Sequence, residues 1–203
     1  FVFEGAEDYA NAVIDEEYIP TQFATDALTE LGVVIALNQE NIMLLDNARG
    51  GYWYLTEDID MTGITFDADM LHPNDAKLAF NGIFNGAGYT INNFTPNTAN
   101  QFSGLFGRVH NGAVFKNFTL NFDMLGTCAG LMGLAYSGGD VYVQNVVITI
   151  DDARGDNVTH RTPICAVVQA NLHLEDVLVV YLEDNPEVYS GLVVNSVSTS
   201  HPI

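Results

Sequence analysis

The unit Ser103-Gly104-Leu105-Phe106-Gly107 returns as Ala129-Gly130-Leu131-Met132-Gly133, more loosely as Cys165-Ala166-Val167-Val168, and again as Ser190-Gly191-Leu192-Val193-Val194. Successive copies lie 26, 36 and 25 residues apart. A second series is interleaved with the first: Asn93-Phe94-Thr95, Asn117-Phe118-Thr119-Leu120, Asn145-Val146-Val147-Ile148 and Asp176-Val177-Leu178-Val179, at intervals of 24, 28 and 31. Recurrence at such a period means a stack of supersecondary units, none of which can bury its apolar face without a neighbour. The expected fold class is all-β: a right-handed parallel β-helix, or solenoid. The hand follows from the right-handed sense of crossovers between parallel strands.

In such a coil each strand lies about 4.8 Å above its counterpart in the previous turn, so equivalent positions form ladders. Asn93, Asn117, Asn145 and Asp176 are expected as one ladder at a buried corner, each Asn side-chain amide bonding the next coil and satisfying the polar atoms of the turn. Leu105, Leu131, Val167 and Leu192 would stack inside as an aliphatic column, with the flanking glycines allowing tight turns.

Residues 1–20 are acidic and aromatic, end at Pro20, and read as an arm; residues 21–203 read as the β-helix domain. Thr21 can cap a short helix near 23–31, with Phe23, Ala27, Leu28 and Leu31 on one face and Gly32 as its stop. It would close the N-terminal end of the stack. Val33–Leu37, Ile42–Leu45 and Tyr52–Leu55 read as strands between Asn-rich and Gly-rich turns. The longest and most charged insertion between coils is 151–163.

From about residue 21 the chain resembles the GLUG-motif surface proteins. It has the short helix, then Tyr54-Leu55-Thr56-Glu57-Asp58-Ile59-Asp60-Met61, then Phe80-Asn81-Gly82-Ile83-Phe84-Asn85-Gly86-Ala87-Gly88-Tyr89-Thr90-Ile91, then the two repeat series. It departs from that pattern in lacking the Trp-containing stretch over 64–79 and in losing most glycines from its last coils. The resemblance implies a right-handed parallel β-helix in a secreted or surface-attached protein, commonly an adhesin or a module of a larger cell-surface polypeptide. It implies no catalytic site.

Charge narrows the functional classes. There are 26 carboxylates against 6 basic side chains, a net charge of −20, and residues 1–48 hold ten Asp or Glu with no Lys or Arg. That field repels nucleic acid and anionic membranes, so neither is an expected partner. No apolar run is long enough for a membrane-spanning helix. A polysaccharide lyase or glycoside hydrolase is the alternative reading, since β-helices also host such enzymes. Its densest carboxylates would be Asp151, Asp152 and Asp156 with His160, serving catalysis or glycan binding. Asp151, Asp152 and Asp156 could instead coordinate Ca²⁺ as hard oxygen ligands, although an EF-hand spacing is absent. No other cofactor is expected.

Arg154-Gly155-Asp156 spells an integrin-type tripeptide. Asn93, Asn117 and Asn157 open N-x-T sequons, of which only Asn157 is expected to be free for a glycan. Cys128 and Cys165 are expected as buried free thiols facing opposite sides of the sheet. His72, His110, His160, His173 and His201 show no metal-ligand spacing.

A solenoid leaves unpaired backbone at its ends. The expectation is an extracellular or cell-surface structural or adhesive protein that associates with itself head to tail, or with neighbouring domains of a longer polypeptide, and that touches glycans through its sides. Phe1, Val2 and Phe3 would add as a strand to the final coil at Leu192, Val193 and Val194 of the next copy. Such a contact is heterologous and builds a filament unless it closes into a ring.

Overall fold

The computed structural model describes residues 34–66, 79–96, 103–125, 129–154, 162–182 and 194–197. They form β1 (Val34–Leu37), a 3-10 helix (Ile42–Asn47), β2 (Tyr52–Leu55), β3 (Ile59–Asp60), β4 (Ile83–Asn85), β5 (Thr90–Phe94), β6 (Phe106–Val109) and β7 (Val114–Leu125). Then follow β8 (Met132–Ala135), β9 (Asp140–Arg154), β10 (Cys165–Val168), β11 (Asn171–Tyr181) and β12 (Val194–Val197). The arm at 1–20 and the capping helix at 23–31 lie outside the described residues.

All the strand pairings are parallel. The larger sheet climbs β1, β2, β4, β7, β9, β11, with β5 also on β7 and β3 on β5; the smaller climbs β6, β8, β10, β12. The pairs β6–β7, β8–β9 and β10–β11 therefore make three turns, each passing from the small sheet to the large one. The chain is a parallel β-solenoid.

The second repeat series sets the shape of each turn. Asn117, Asn145 and Asp176 have φ of 58°, 51° and 50°, the left-handed region that Asn and Asp tolerate best among residues with a side chain. One such residue inside a strand breaks the two-residue alternation. Phe115 and Phe118 both face the core, as do Val143 and Val146, three residues apart instead of two. The long strands thus bend around a corner without leaving the ladder.

Asn93 (φ 56°) does the same between Ile91 and Phe94, where β5 carries one residue more than β7. It is a bulge one strand segment further on, in register with neither Asn117 nor Asn145.

The first series is corrected in its third copy. Met132 pairs with Cys165, so the counterpart of Leu131 is Ile164 and not Val167, three residues later. Leu105, Leu131 and Ile164 form the inner column, all at 2 % exposure or less. Its glycines serve close approach. A Cβ at Gly130 would stand 2.6 Å from the Pro163 carbonyl oxygen and 2.7 Å from the Phe122 ring, so only glycine lets adjacent coils meet there.

Two local expectations also change. Ile42–Leu45 is 3-10 helix, not strand. Asn38 and Asn41 close a turn on each other, Asn41 Oδ1 accepting from the Asn38 N–H at 2.8 Å and Asn38 Oδ1 from the Asn41 N–H at 3.1 Å. The three-residue period then buries Ile42 and Leu45 and leaves Met43 and Leu44 outside. The expected loop at 151–163 starts later, because β9 runs to Arg154 with Asp152 paired to Asp123 and Arg154 to Leu125.

Aromatic rings fill the interior. Phe106 lies 4.8 Å from Phe80 and 4.7 Å from Phe115 between ring centroids, and Phe84 meets Phe118 edge-on at 5.2 Å. One core cluster runs from Leu37 through Phe84, Phe115, Leu131 and Ile148 to Val168.

Candidate assembly surface

The two ends of the large sheet differ in how they finish. At β1, Leu37 is 0 % exposed in the core, Ile35 is half-buried against it, and Val34, 2 % exposed, packs with Tyr52 in a separate outer cluster. The Leu37 carbonyl turns toward β2 and accepts from the Thr56 N–H at 2.9 Å. The neighbouring Ala36 carbonyl points the other way, where a further strand would bind. Asn41 Nδ2 occupies it at 2.9 Å.

At β11 the inward face is covered less fully by the described residues. Val141, Val143, Val146, Ile148 and Ile150 on β9 are all at most 1 % exposed. Their register partners on β11, Leu172, Leu174, Val177, Val179 and Tyr181, lie one level higher, where each is half-buried or exposed. Among the described residues no strand pairs with the far side of β11. Leu174, Leu178 and Leu182 are 41 %, 56 % and 62 % exposed, half of the large exposed hydrophobics among the described residues, all gathered on the last turn.

The corner residues stack along the outside. Asn145 Nδ2 donates to Asn117 Oδ1 at 3.0 Å, and Asn117 Nδ2 donates to Asn85 Oδ1 at 3.3 Å. Asp176 stands one level higher, the register of Glu175 on Gln144 and Val177 on Val146 placing it over Asn145. Asn85 fills the level assigned from the sequence to Asn93. Asn93 donates instead to Asp60 Oδ1 at 2.9 Å, and with the Thr62 N–H and hydroxyl on the same oxygen it holds the Asp60 carboxyl down at about 2. The expectation of a buried corner is corrected: Asn93, Asn145 and Asp176 are exposed and Asn117 is half-buried. Backbone conformation demands these residues, and their side chains are free to face water.

A second polar group sits where turns pass from the small sheet to the large. Asp140 Oδ1 lies 2.8 Å from His173 Nε2 and accepts from Asn171 Nδ2 at 3.1 Å. These contacts, His173 first, hold the Asp140 carboxyl below the usual aspartate range. The His173 ring stacks on Tyr142 with centroids 4.6 Å apart and planes 14° from parallel. The sequence reading did not single out this group. Its only signal was the common register of Tyr142 and His173, visible once the coils are aligned.

Phe1, Val2, Phe3, Leu192, Val193, Asp156, Asn157 and Cys128 lie outside the described residues. Val194 opens β12 opposite Cys165. Asp151 and Asp152 are strand residues of β9. Among the described residues no group of three or more His, Cys, Asp or Glu is placed to hold a metal, and no helix is long and apolar enough to cross a membrane. Cys165 is a free, buried thiol pushed up to about 12 by burial, so it stays protonated and packs as a small apolar side chain.

No protein-family model, curated protein or solved structure matches the chain. The likeness to GLUG-motif surface proteins rests on the motifs quoted above.

Proposed function

We propose that this is an extracellular structural or adhesive protein, a right-handed β-helix that associates with itself through the end of its stack and offers its sides to the surroundings. The observation that carries this reading is the contrast between β9 and β11. The same inward-facing pattern is sealed on β9 and open one level higher on β11. An edge strand on which no described strand pairs, and which exposes leucines, is a ready template for another strand. The net charge of −20 opposes indiscriminate aggregation, so a short apolar edge can serve one contact without making the surface sticky throughout.

Sedimentation velocity across a concentration series, with electron microscopy of the native material, tests the reading. Concentration-dependent assembly is expected; a monomer at every concentration would overturn it.

A glycan-binding role for the sides has one observation in its favour, the stacked Tyr142 and His173 rings beside the acceptor Asp140. Aromatic faces flanked by hydrogen-bonding groups suit a sugar ring. Titration of Tyr142→Ala and wild type with soluble oligosaccharides, followed by chemical shift, checks it; equal responses would dismiss it.

A further inference from the structure

We infer that the occupant of the β11 edge is the β11 strand of a second copy, paired antiparallel about a two-fold axis at Leu178, tail to tail. The inference rests on the self-association proposed above and specifies its geometry.

The hydrogen-bonding pattern fixes the register. The Leu182 N–H donates to the Ile150 carbonyl at 3.1 Å, so Leu182 turns its backbone toward β9, and by alternation Val180 and Leu178 do the same. The N–H and C=O groups of Val177 and Val179 therefore point to the side where no described strand lies. An antiparallel partner centred on Leu178 sets Val177 of one copy against Val179 of the other, twice, and each such pair exchanges two hydrogen bonds. Leu178 then faces Leu178 in the close, non-bonded position between them. Leu182 alternates with the inward-facing Val179 and Tyr181 and so shares the outer face with Leu178, whereas Leu174 lies beyond the corner at Asp176 and takes no part in the pairing.

Charge selects the same register. Val177–Leu182 carries no ionisable group except the Tyr181 phenol, whereas Glu175 and Asp176 lie just before it. With Leu178 at the centre, the two copies of Asp176 are kept roughly 14 Å apart along the strands, at about 3.4 Å per residue. That exceeds the Debye length of about 8 Å at physiological salt. A pairing centred on the corner would set Asp176 against itself.

Among the described residues the opposite end offers no equivalent surface. A head-to-tail stack would place β11 on β1, but β1 has four residues against eleven, and Asn41 already fills the Ala36 carbonyl. The contact is small, in the range of weak, reversible assemblies, and two copies of charge −20 repel, so it should tighten as salt rises.

The test uses the full chain as wild type, Leu178→Lys, Leu178→Glu and an equimolar mixture of the two variants. Each is followed by sedimentation velocity at 0.15 M and 0.5 M salt, these being about physiological and about three times that. Thermal melts accompany them to confirm folding at this exposed position. Wild type is expected as a monomer–dimer equilibrium shifted to dimer by salt. Either variant alone should associate at least about tenfold more weakly, because like charges meet on the axis, and the mixture should recover the dimer.

Recovery in the mixture requires residue 178 to face itself, which a merely apolar patch does not. Dimers indifferent to Leu178, or filaments, would overturn the two-fold pairing while leaving self-association standing. A monomer at every concentration and both salts would remove both.

Discussion

The β1 end and the β11 end are built from similar strands in the same parallel sheet, yet among the described residues only β1 has a side-chain amide seated on its outer edge. At β1 the Asn41 amide occupies the Ala36 carbonyl, and Ile42 and Leu45 of the following 3-10 helix join Leu37 in the core. At β11 the inward face is half-exposed and the outer edge carries no strand among the described residues. An end is therefore a property of the side chains laid over it. Strand sequence alone does not make one edge safe and the other available.

The contrast can be broken most directly by the same truncation at each end. Leu37→Ala removes a fully buried side chain and should cost about 2–5 kcal/mol. Leu174→Ala, in the register column of Ile35 and Val143, also truncates an inward-facing leucine, but one that is 41 % exposed on the last turn, and should cost less than about 1 kcal/mol. Urea midpoints at a concentration low enough to keep the protein monomeric check this. Equal losses would mean that β11 is covered in solution.

The corner column extends the contrast along the stack. Asn117→Ala places alanine in a left-handed conformation, a penalty of roughly 1–2 kcal/mol, and also deletes bonds to Asn85 and Asn145. Asp176→Ala at the open end meets the same backbone penalty without those two amide contacts. The Asn117 variant should therefore melt lower than the Asp176 variant, and Asn117→Gly should recover the backbone part only. If both alanine variants melt alike, the amide column contributes nothing beyond its backbone conformation.

A smaller effect is expected at the capped edge. Asn41→Ala frees the Ala36 carbonyl and undoes one side of the reciprocal Asn38–Asn41 turn. The loss should be about 0.5–1.5 kcal/mol for each hydrogen bond. The more telling readout is assembly: if Asn41 is what keeps β1 from pairing, the variant should form species larger than those of wild type by light scattering.

The periodicity made the coil legible because stacking constrains every turn alike. The 28 and 31 residue intervals from Asn117 to Asn145 to Asp176 hold in the structure, since a left-handed corner tolerates few residue types. Asn93 looked identical in sequence but belongs to a bulge; the letters Asn-Phe-Thr report a positive φ and not which corner supplies it. The Gly-Leu series misled at its third copy because Thr162-Pro163-Ile164-Cys165 keeps the burial and drops the glycine. The edge features were illegible for a different reason. Asn41 capping Ala36 and His173 reaching Asp140 are single contacts, made where the repeat stops or where turns are joined, and a repeat pattern carries no information about them.

The least energetic difference between the ends is electrostatic. Asp60, near the finished end, is held down at about 2 by neutral donors, Asn93 first and then Thr62. Asp140, near the open end, is lowered first by His173 and then by Asn171. A depressed folded-state pKa means stability that is present above the ordinary aspartate range, near about 3.9, and lost as pH falls through the folded value. For Asp60 that loss falls between about 4 and about 2. Both groups face solvent, so the amounts are small and the shifts themselves are the useful measurement. In carboxyl-detected NMR titrations, Asn93→Ala should move Asp60 back toward the ordinary value and leave Asp140 unchanged, while His173→Ala should do the reverse. If either substitution moved both carboxyls, the two ends would be coupled through the stack, and the independence that lets one end close while the other stays open would fail.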